Sequence, residues 1–161
     1  MKDLTIREVN ENDKKWIIQL MEDQWASTRV ITRGNVHDTE ELPGLIAVQN
    51  NKRLGLLIYN IKDFDCEIVS LNSLIKRKGI GSALIQRVIK IAIKRSCKRI
   101  WVITTNDNTE ALRFYQMRGF KIKAVYIDAV KKSRQLKPEL PLLGIDNIEI
   151  RDEIELEKEL K

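Results

Sequence analysis

Hydrophobic and polar positions change period several times along the chain, and each change marks an element. Leu4 and Ile6, with Val9 close behind, alternate with polar residues and predict a short strand over Leu4–Glu8. Trp16, Ile17, Leu20, Met21 and Trp25 then recur at three- and four-residue steps, which predicts an amphipathic helix with Asn12 or Asp13 placed to cap its start. Residues 27–43 are polar and hold Gly34 and Pro43, so they read as irregular or as broken helix. Leu45–Gln49, Arg53–Ile61 and Cys66–Ser73 read as three strands of an antiparallel meander, joined by Asn50-Asn51 and by Lys62-Asp63-Phe64-Asp65.

A long helix is expected over Gly79–Arg95. Ile80, Leu84, Val88 and Ile91 form its apolar line, with Arg87, Lys90 and Lys94 on the wet face. Arg99–Thr104 is almost continuously apolar, as a strand at the centre of a sheet would be. Asn108–Arg118 predicts a second helix, stopped by Gly119. Phe120–Ile127 predicts a strand with Phe120, Ile122, Ala124 and Tyr126 on one side, and residues 129–137 a short helix that ends before Pro138. Ile154, Leu156, Lys158 and Leu160 share a face in a final strand. Placed at a sheet edge, that strand would let two copies pair as a homodimer, although its Glu and Lys residues also suit edge protection. No repeat or low-complexity linker interrupts the pattern. The expected fold class is mixed α/β (α+β): one domain over residues 1–161, with a mixed, mostly antiparallel sheet of about seven strands flanked by helices.

Composition fits that picture. The 161 residues are 43% hydrophobic and 32% charged, enough for a real core and too apolar for global disorder. No run is long and apolar enough to span a bilayer, and Met1-Lys2-Asp3-Leu4 lacks the apolar core of a signal peptide, so a cytoplasmic location is expected. Two cysteines, Cys66 and Cys97, and one histidine, His37, leave no basis for a zinc knuckle or a disulfide scaffold, and no metal is expected. Both cysteines read as small buried hydrophobes.

Charge is uneven. The net charge is +6, yet residues 76–99 hold nine basic side chains and no acidic one, while residues 139–161 hold eight acids and three bases. Such a basic segment is either a solvated helix face or a site for a polyanion: nucleic acid, an anionic membrane or a phosphorylated cofactor. At its start lies Lys76-Arg77-Lys78-Gly79-Ile80-Gly81-Ser82, between a strand and the long helix. Two glycines there leave the first helical N–H groups open, and with the positive end of the helix dipole they suit a pyrophosphate. The Walker and Rossmann patterns both fail, the latter because Leu84 stands where a third glycine is needed. A second feature is Asn108-Thr109-Glu110-Ala111-Leu112-Arg113-Phe114-Tyr115, which places Asn108 and Tyr115 along one helical stripe.

In this order and spacing the two features resemble the GNAT superfamily of acyl-CoA-dependent N-acetyltransferases, of the small single-domain bacterial type. In that family Gln/Arg-x-x-Gly-x-Gly/Ala opens the central helix and binds the pyrophosphate of acetyl-CoA. Here the block reads Lys76-Arg77-Lys78-Gly79-Ile80-Gly81, and Lys76 keeps a donor but loses the planar fork of arginine. The second block, Asn-x-x-Ala-x-x-Phe-Tyr-x-x-x-Gly-Phe, is matched in full from Asn108 to Phe120.

The resemblance implies an N-acetyltransferase that uses acetyl-CoA as donor and acetylates an amine by direct attack in a ternary complex. It implies that Leu71-Asn72-Ser73 pairs by its backbone with the pantetheine arm, and that this strand and Arg99–Thr104 splay apart to admit the thioester. The 76–82 loop, Ser82 included, would hold the pyrophosphate. Asn108 and Asn106 would contact the cofactor, with helix capping and turn formation as their ordinary roles. Tyr115 would be the general acid for the departing thiolate, and Glu67 is the candidate base, a surface or salt-bridged glutamate being the alternative. The family walls its acceptor site with the segment after the first helix, here Trp25–Asp38. Arg29 and Arg33 there would suit an acceptor bearing a carboxylate or phosphate, while exposed loop arginines are ordinary. His37 reads as a structural or surface histidine before it reads as a base. Two rival functions remain at this level: a non-catalytic acyl-CoA binder, and a nucleic-acid-binding module. The second is disfavoured by aromatics that make up 6% of the chain and do not interleave with the basic residues.

Overall fold

A computed structural model describes residues 3–25 and 27–161. Its elements in chain order are strand β1 (Thr5–Glu8), helix α1 (Lys14–Trp25), β2 (Arg29–Thr32), β3 (Asn35–Asp38), β4 (Gly44–Gln49), β5 (Lys52–Lys62), β6 (Asp65–Ser73), α2 (Ile80–Lys94), β7 (Arg99–Thr105), α3 (Thr109–Met117), β8 (Lys121–Tyr126), α4 (Ala129–Leu136) and β9 (Glu153–Glu159). Seven strands form one sheet in the order β1-β4-β5-β6-β7-β9-β8, antiparallel throughout except for the parallel β6–β7 pair. The mixed, mostly antiparallel sheet expected from the sequence is therefore present.

Two apolar clusters lie on the two faces of this sheet. On one, Ile80, Leu84, Ile85, Val88 and Ala92 of α2 pack on Leu57, Tyr59, Cys66, Ile68, Ile100, Val102 and Leu156, with Tyr115 and Phe120 closing the cluster. On the other, Ile17, Leu20 and Met21 of α1 pack on Ile46, Leu56, Ile58 and Val69, and Val30 of β2 joins them. Strand alternation sends successive side chains to opposite faces, so neighbours such as Leu56 and Leu57 serve different clusters.

Four local expectations are corrected. The stretch 27–43 is not irregular: β2 and β3 form a separate antiparallel hairpin, turned by Arg33 and Gly34 at φ 51° and 76°. Two successive positive φ values are what a tight hairpin turn with the native twist demands, and the same pair occurs at Asn50-Asn51 and Asp63-Phe64. The helical cap at the start of α1 is made neither by Asn12 nor by Asp13 as N-cap. Asn10 caps a short helical turn over Glu11–Asp13 that leads into α1, and Asp13 closes the capping box from its third position. In β8, Ile122 and Ala124 do not share a face, because a bulge between them resets the alternation: Ile122 lies opposite Leu156, and Ala124 opposite Glu155.

The fourth correction concerns β9. It is not an edge strand, but runs between β7 and β8, hydrogen-bonded on both sides. Its acidic residues are thus not edge guards: Glu153 and Glu155 are buried in the sheet face opposite α2. Homodimer formation by pairing of β9 is removed with it, since the sheet's edges are β1 and β8.

Candidate active site

The decisive local feature is where β6 leaves β7. Their ladder covers Asp65 to Ile68 against Arg99 to Val102 and stops. At that point β6 carries a bulge: Ile68 lies opposite Tyr59 and Ser70 opposite Ile58, so Val69 is the extra residue. A bulge bends the strand and re-aims it. Beyond it, Ser70, Leu71, Asn72 and Ser73 pair with β5 on one side, while their other edge has no strand partner among the described residues. An open backbone edge facing a gap between two parallel strands can accept an extended, amide-bearing chain.

Two titratable side chains, Glu67 and Tyr115, lie on opposite faces of the sheet. Glu67, one residue before Ile68 and 5% exposed, points away from α2. Its Oε2 accepts the Thr32 hydroxyl at 2.8 Å, and its Oε1 lies 3.1 Å from Nε2 of His37. Both partners come from the β2–β3 hairpin, in the region read from sequence as irregular or broken helix. Tyr115 lies on the other face, 5% exposed, within edge-to-face contact of Phe114 and Phe120. Burial pushes its phenol well above the ordinary tyrosine range, with Arg118 opposing weakly, so the hydroxyl keeps its proton.

Beyond β6, the 76–82 loop leads into α2. Gly79, the N-cap of α2, sits at φ 79° and ψ 7°, and no side chain caps the helix start. The first amides of α2, on Ile80, Gly81 and Ser82, therefore have no intrahelical acceptor. A Cβ on Gly79 would meet nothing within 4 Å, so its role is conformational. Gly81 differs: a Cβ there would lie 3.0 Å from Cζ of Phe114, so its smallness lets α3 approach α2. Lys76, Arg77 and Lys78 are exposed around this start, and Lys76 Nζ reaches Glu110 of α3 at 3.4 Å. Arg118, which the sequence reading did not single out, stacks on Phe114 at 3.6 Å and donates to the Ser82 hydroxyl, fixing α3 against the first turn of α2.

The remaining candidates divide. Asn108 caps α3 through Oδ1, which accepts the Ala111 amide at 3.1 Å. Asn106 spends its carboxamide on the backbone: Oδ1 accepts the amides of Arg151 and Asp152, and Nδ2 donates to the Glu149 carbonyl. That bonding ties the end of β7 to the start of β9. The Asn72 side chain accepts the Trp25 indole at 3.3 Å, leaving the strand's backbone edge for a ligand. Arg29 bonds the Leu136 carbonyl on α4, away from Glu67. Arg33 stays with the cluster: its amide approaches the Glu153 carboxylate, and its guanidinium stacks over Tyr126 at 4.0 Å. Glu153 and Glu155, whose strand the sequence reading took as glutamate-rich edge protection, are buried and within reach of Arg33. Burial raises Glu153, whereas at Glu155 burial is outweighed by hydrogen bonds from Arg99 and Tyr126, which lower it.

Comparison with known proteins now decides the family. The model of the acetyltransferase (GNAT) family matches residues 7–120. The chain belongs to the GNAT acetyltransferase family. Two relatives from Bacillus subtilis (strain 168) extend the match: the uncharacterized protein YxbD is 38% identical over 92% of this chain and 94% of its own length. The uncharacterized protein YdhI is 42% identical over 90% and 91%. Among solved structures, a GNAT family acetyltransferase from Elizabethkingia anophelis with acetyl-CoA bound superimposes with a TM-score of 0.75. That likeness covers 99% of this chain and all of the other at 22% identity, and it shows a shared fold. The family match ends before β9, whereas the structural likeness covers nearly the whole chain.

Proposed function

We propose that this GNAT acetyltransferase is an N-acetyltransferase that moves the acetyl group of acetyl-CoA onto a primary amine, by direct attack with both substrates bound. One observation carries the reading: Glu67 lies beside the gap where β6 parts from β7 on one face of the sheet, and Tyr115 packs on the other face in the cluster that holds Ile68 and Val102, the last pair of the β6–β7 ladder. Acetyl transfer needs that division, because a proton must leave the attacking nitrogen on one side while another arrives at the sulfur on the other.

The amides at the start of α2 would take the pyrophosphate, and the free edge of Leu71-Asn72-Ser73 would pair with the pantetheine amides. An alkylamine has a pKa of about 10.4 and arrives as the ammonium. Glu67, directly or through water, accepts one proton and passes it to solvent, the neutral nitrogen attacks the thioester carbonyl, and Glu67 then takes the second proton from the nitrogen made cationic by the attack. Collapse breaks the carbon–sulfur bond, the electron pair leaves on sulfur, and the Tyr115 hydroxyl donates its proton to that thiolate. Solvent returns the proton to the phenolate, which burial makes strongly basic. No protein nucleophile is needed, and burial pushes the Cys66 thiol up to about 12.

The test is thiol release from acetyl-CoA across a panel of primary amines, with mass spectrometry of the products. An acetylated amine is expected, and Tyr115→Phe should cut kcat by about 100-fold or more while CoA affinity changes little. Binding of CoA without acetylation of any amine would leave the chain an acyl-CoA binder. Full turnover by Tyr115→Phe would remove the acid from the scheme.

A further inference from the structure

We propose that His37 is a positioning residue for the Glu67 carboxylate, an inference that rests on the reading of Glu67 as base. The β2–β3 register sets His37 directly opposite Val30, with Thr32 two residues further along β2. Period-two alternation then puts Val30, Thr32 and His37 on one face of the hairpin. Val30 packs into the α1-side cluster, so that face is turned toward the sheet.

There three groups close on one another. Thr32 Oγ1 donates to Oε2 of Glu67 at 2.8 Å, His37 Nε2 lies 3.1 Å from Oε1, and Oγ1 and Nε2 are 3.2 Å apart. Among the described residues Glu67 has no lysine or arginine partner, so these two donors alone orient it. A carboxylate with one donor on each oxygen is held in a single plane, with its remaining lone pairs at fixed angles. Thr32 and His37 both belong to the hairpin, hence the hairpin sets the direction in which the base meets the amine. The arrangement requires the neutral Nε2–H tautomer, or the imidazolium, as donor to Oε1.

His37 is the chain's single histidine, so nitrogen-15 NMR of the imidazole reads it without ambiguity. The expected long-range proton–nitrogen spectrum is that of a ring protonated at Nε2, shifted in Glu67→Gln. An Nδ1–H tautomer, or a spectrum indifferent to Glu67→Gln, overturns the proposal, and this arm needs no acceptor. Kinetics use acetyl-CoA with the best amine of the panel. His37→Ala should lower kcat roughly 10- to 100-fold, the scale of a small misplacement of a reacting group, with KM for acetyl-CoA unchanged. His37→Gln, which returns an N–H donor at similar reach, should recover most of the loss and also covers the case in which the alanine variant fails to fold. In the Glu67→Gln background His37→Ala should add nothing, since the pair acts as a unit. An unchanged kcat in His37→Ala, or a loss that persists without Glu67, defeats the inference. Wild-type turnover by Glu67→Gln defeats instead the assignment of the base.

Discussion

Gly79→Ala separates the conformational role of one glycine from the packing role of its neighbour. Gly79 sits at φ 79° in an exposed loop, and an added Cβ would touch nothing within 4 Å. The substitution therefore brings no clash, only the cost of a left-handed conformation for an L-residue, about 1–2 kcal/mol. A strained φ persists only where surrounding packing over-determines it, and this exposed loop has little. The free protein should relax, turning the first amides of α2 away from their common direction, and the coenzyme must then restore them. At about 1.4 kcal/mol per tenfold, CoA binding weakens by roughly 5- to 30-fold. Isothermal titration with CoA reads this, and Tm should move little. Gly81→Ala should do the reverse. Its Cβ would press on Phe114 at 3.0 Å and lower Tm by forcing α3 outward, with overpacking of about 1–3 kcal/mol partly offset by better helix propensity. Unchanged CoA affinity in Gly79→Ala, with Tm also unchanged, would refute the reasoning that the left-handed N-cap shapes the anion site.

Acid stability should depend on Asp13, which is fully buried and accepts from Arg7 at 2.7 and 2.9 Å, from Arg53 at 2.9 Å and from the Asn10 amide at 2.8 Å. The Arg7 pairing holds its carboxyl far below the ordinary aspartate value of about 3.9, so its stabilisation is complete above that pH and drains away as pH falls below it. Denaturation curves from pH 7 to 2 should show this loss, and Asp13→Asn should be less stable at neutral pH, toward the low end of roughly 3–5 kcal/mol because both arginines reach water, with a flatter acid limb. Native Cys66 and Cys97, both buried, should resist a thiol-specific reagent at pH 8 and react once unfolded; rapid labelling of folded protein would contradict the burial that raises both thiols.

Much of this architecture is written in local pattern. The α2 stripe of Ile80, Leu84 and Val88, the apolar run of β7 and the meander of β4 to β6 follow from side-chain period alone, and each is where the pattern places it. The motif residues of the α2 start and of α3 are equally local. What the sequence concealed depends on partners far along the chain. The hairpin of β2 and β3 has only four residues per strand, and its apolar contribution is Val30 and little else. Gly34 was its one local sign, read as part of an irregular stretch when it belongs to a hairpin turn. The interior position of β9 was hidden because strand order is a property of the whole sheet, and a strand rich in glutamate looks like an edge until Arg99 and Tyr126 are seen to meet Glu155. His37 could not be joined to Glu67 from sequence, since they stand thirty positions apart and belong to different sheets. Asn106 looked free for a ligand because its backbone partners at 149–152 lie far along the chain.

The most direct test of the account is a crystal structure of the protein with CoA bound. The account places the pyrophosphate on the amides of Gly79 to Ser82, the pantetheine along Leu71 to Ser73, and the sulfur in the gap between β6 and β7, with the Tyr115 hydroxyl on one side and the Glu67 carboxylate on the other. Phosphates held elsewhere, or a sulfur lying outside that gap, would contradict it.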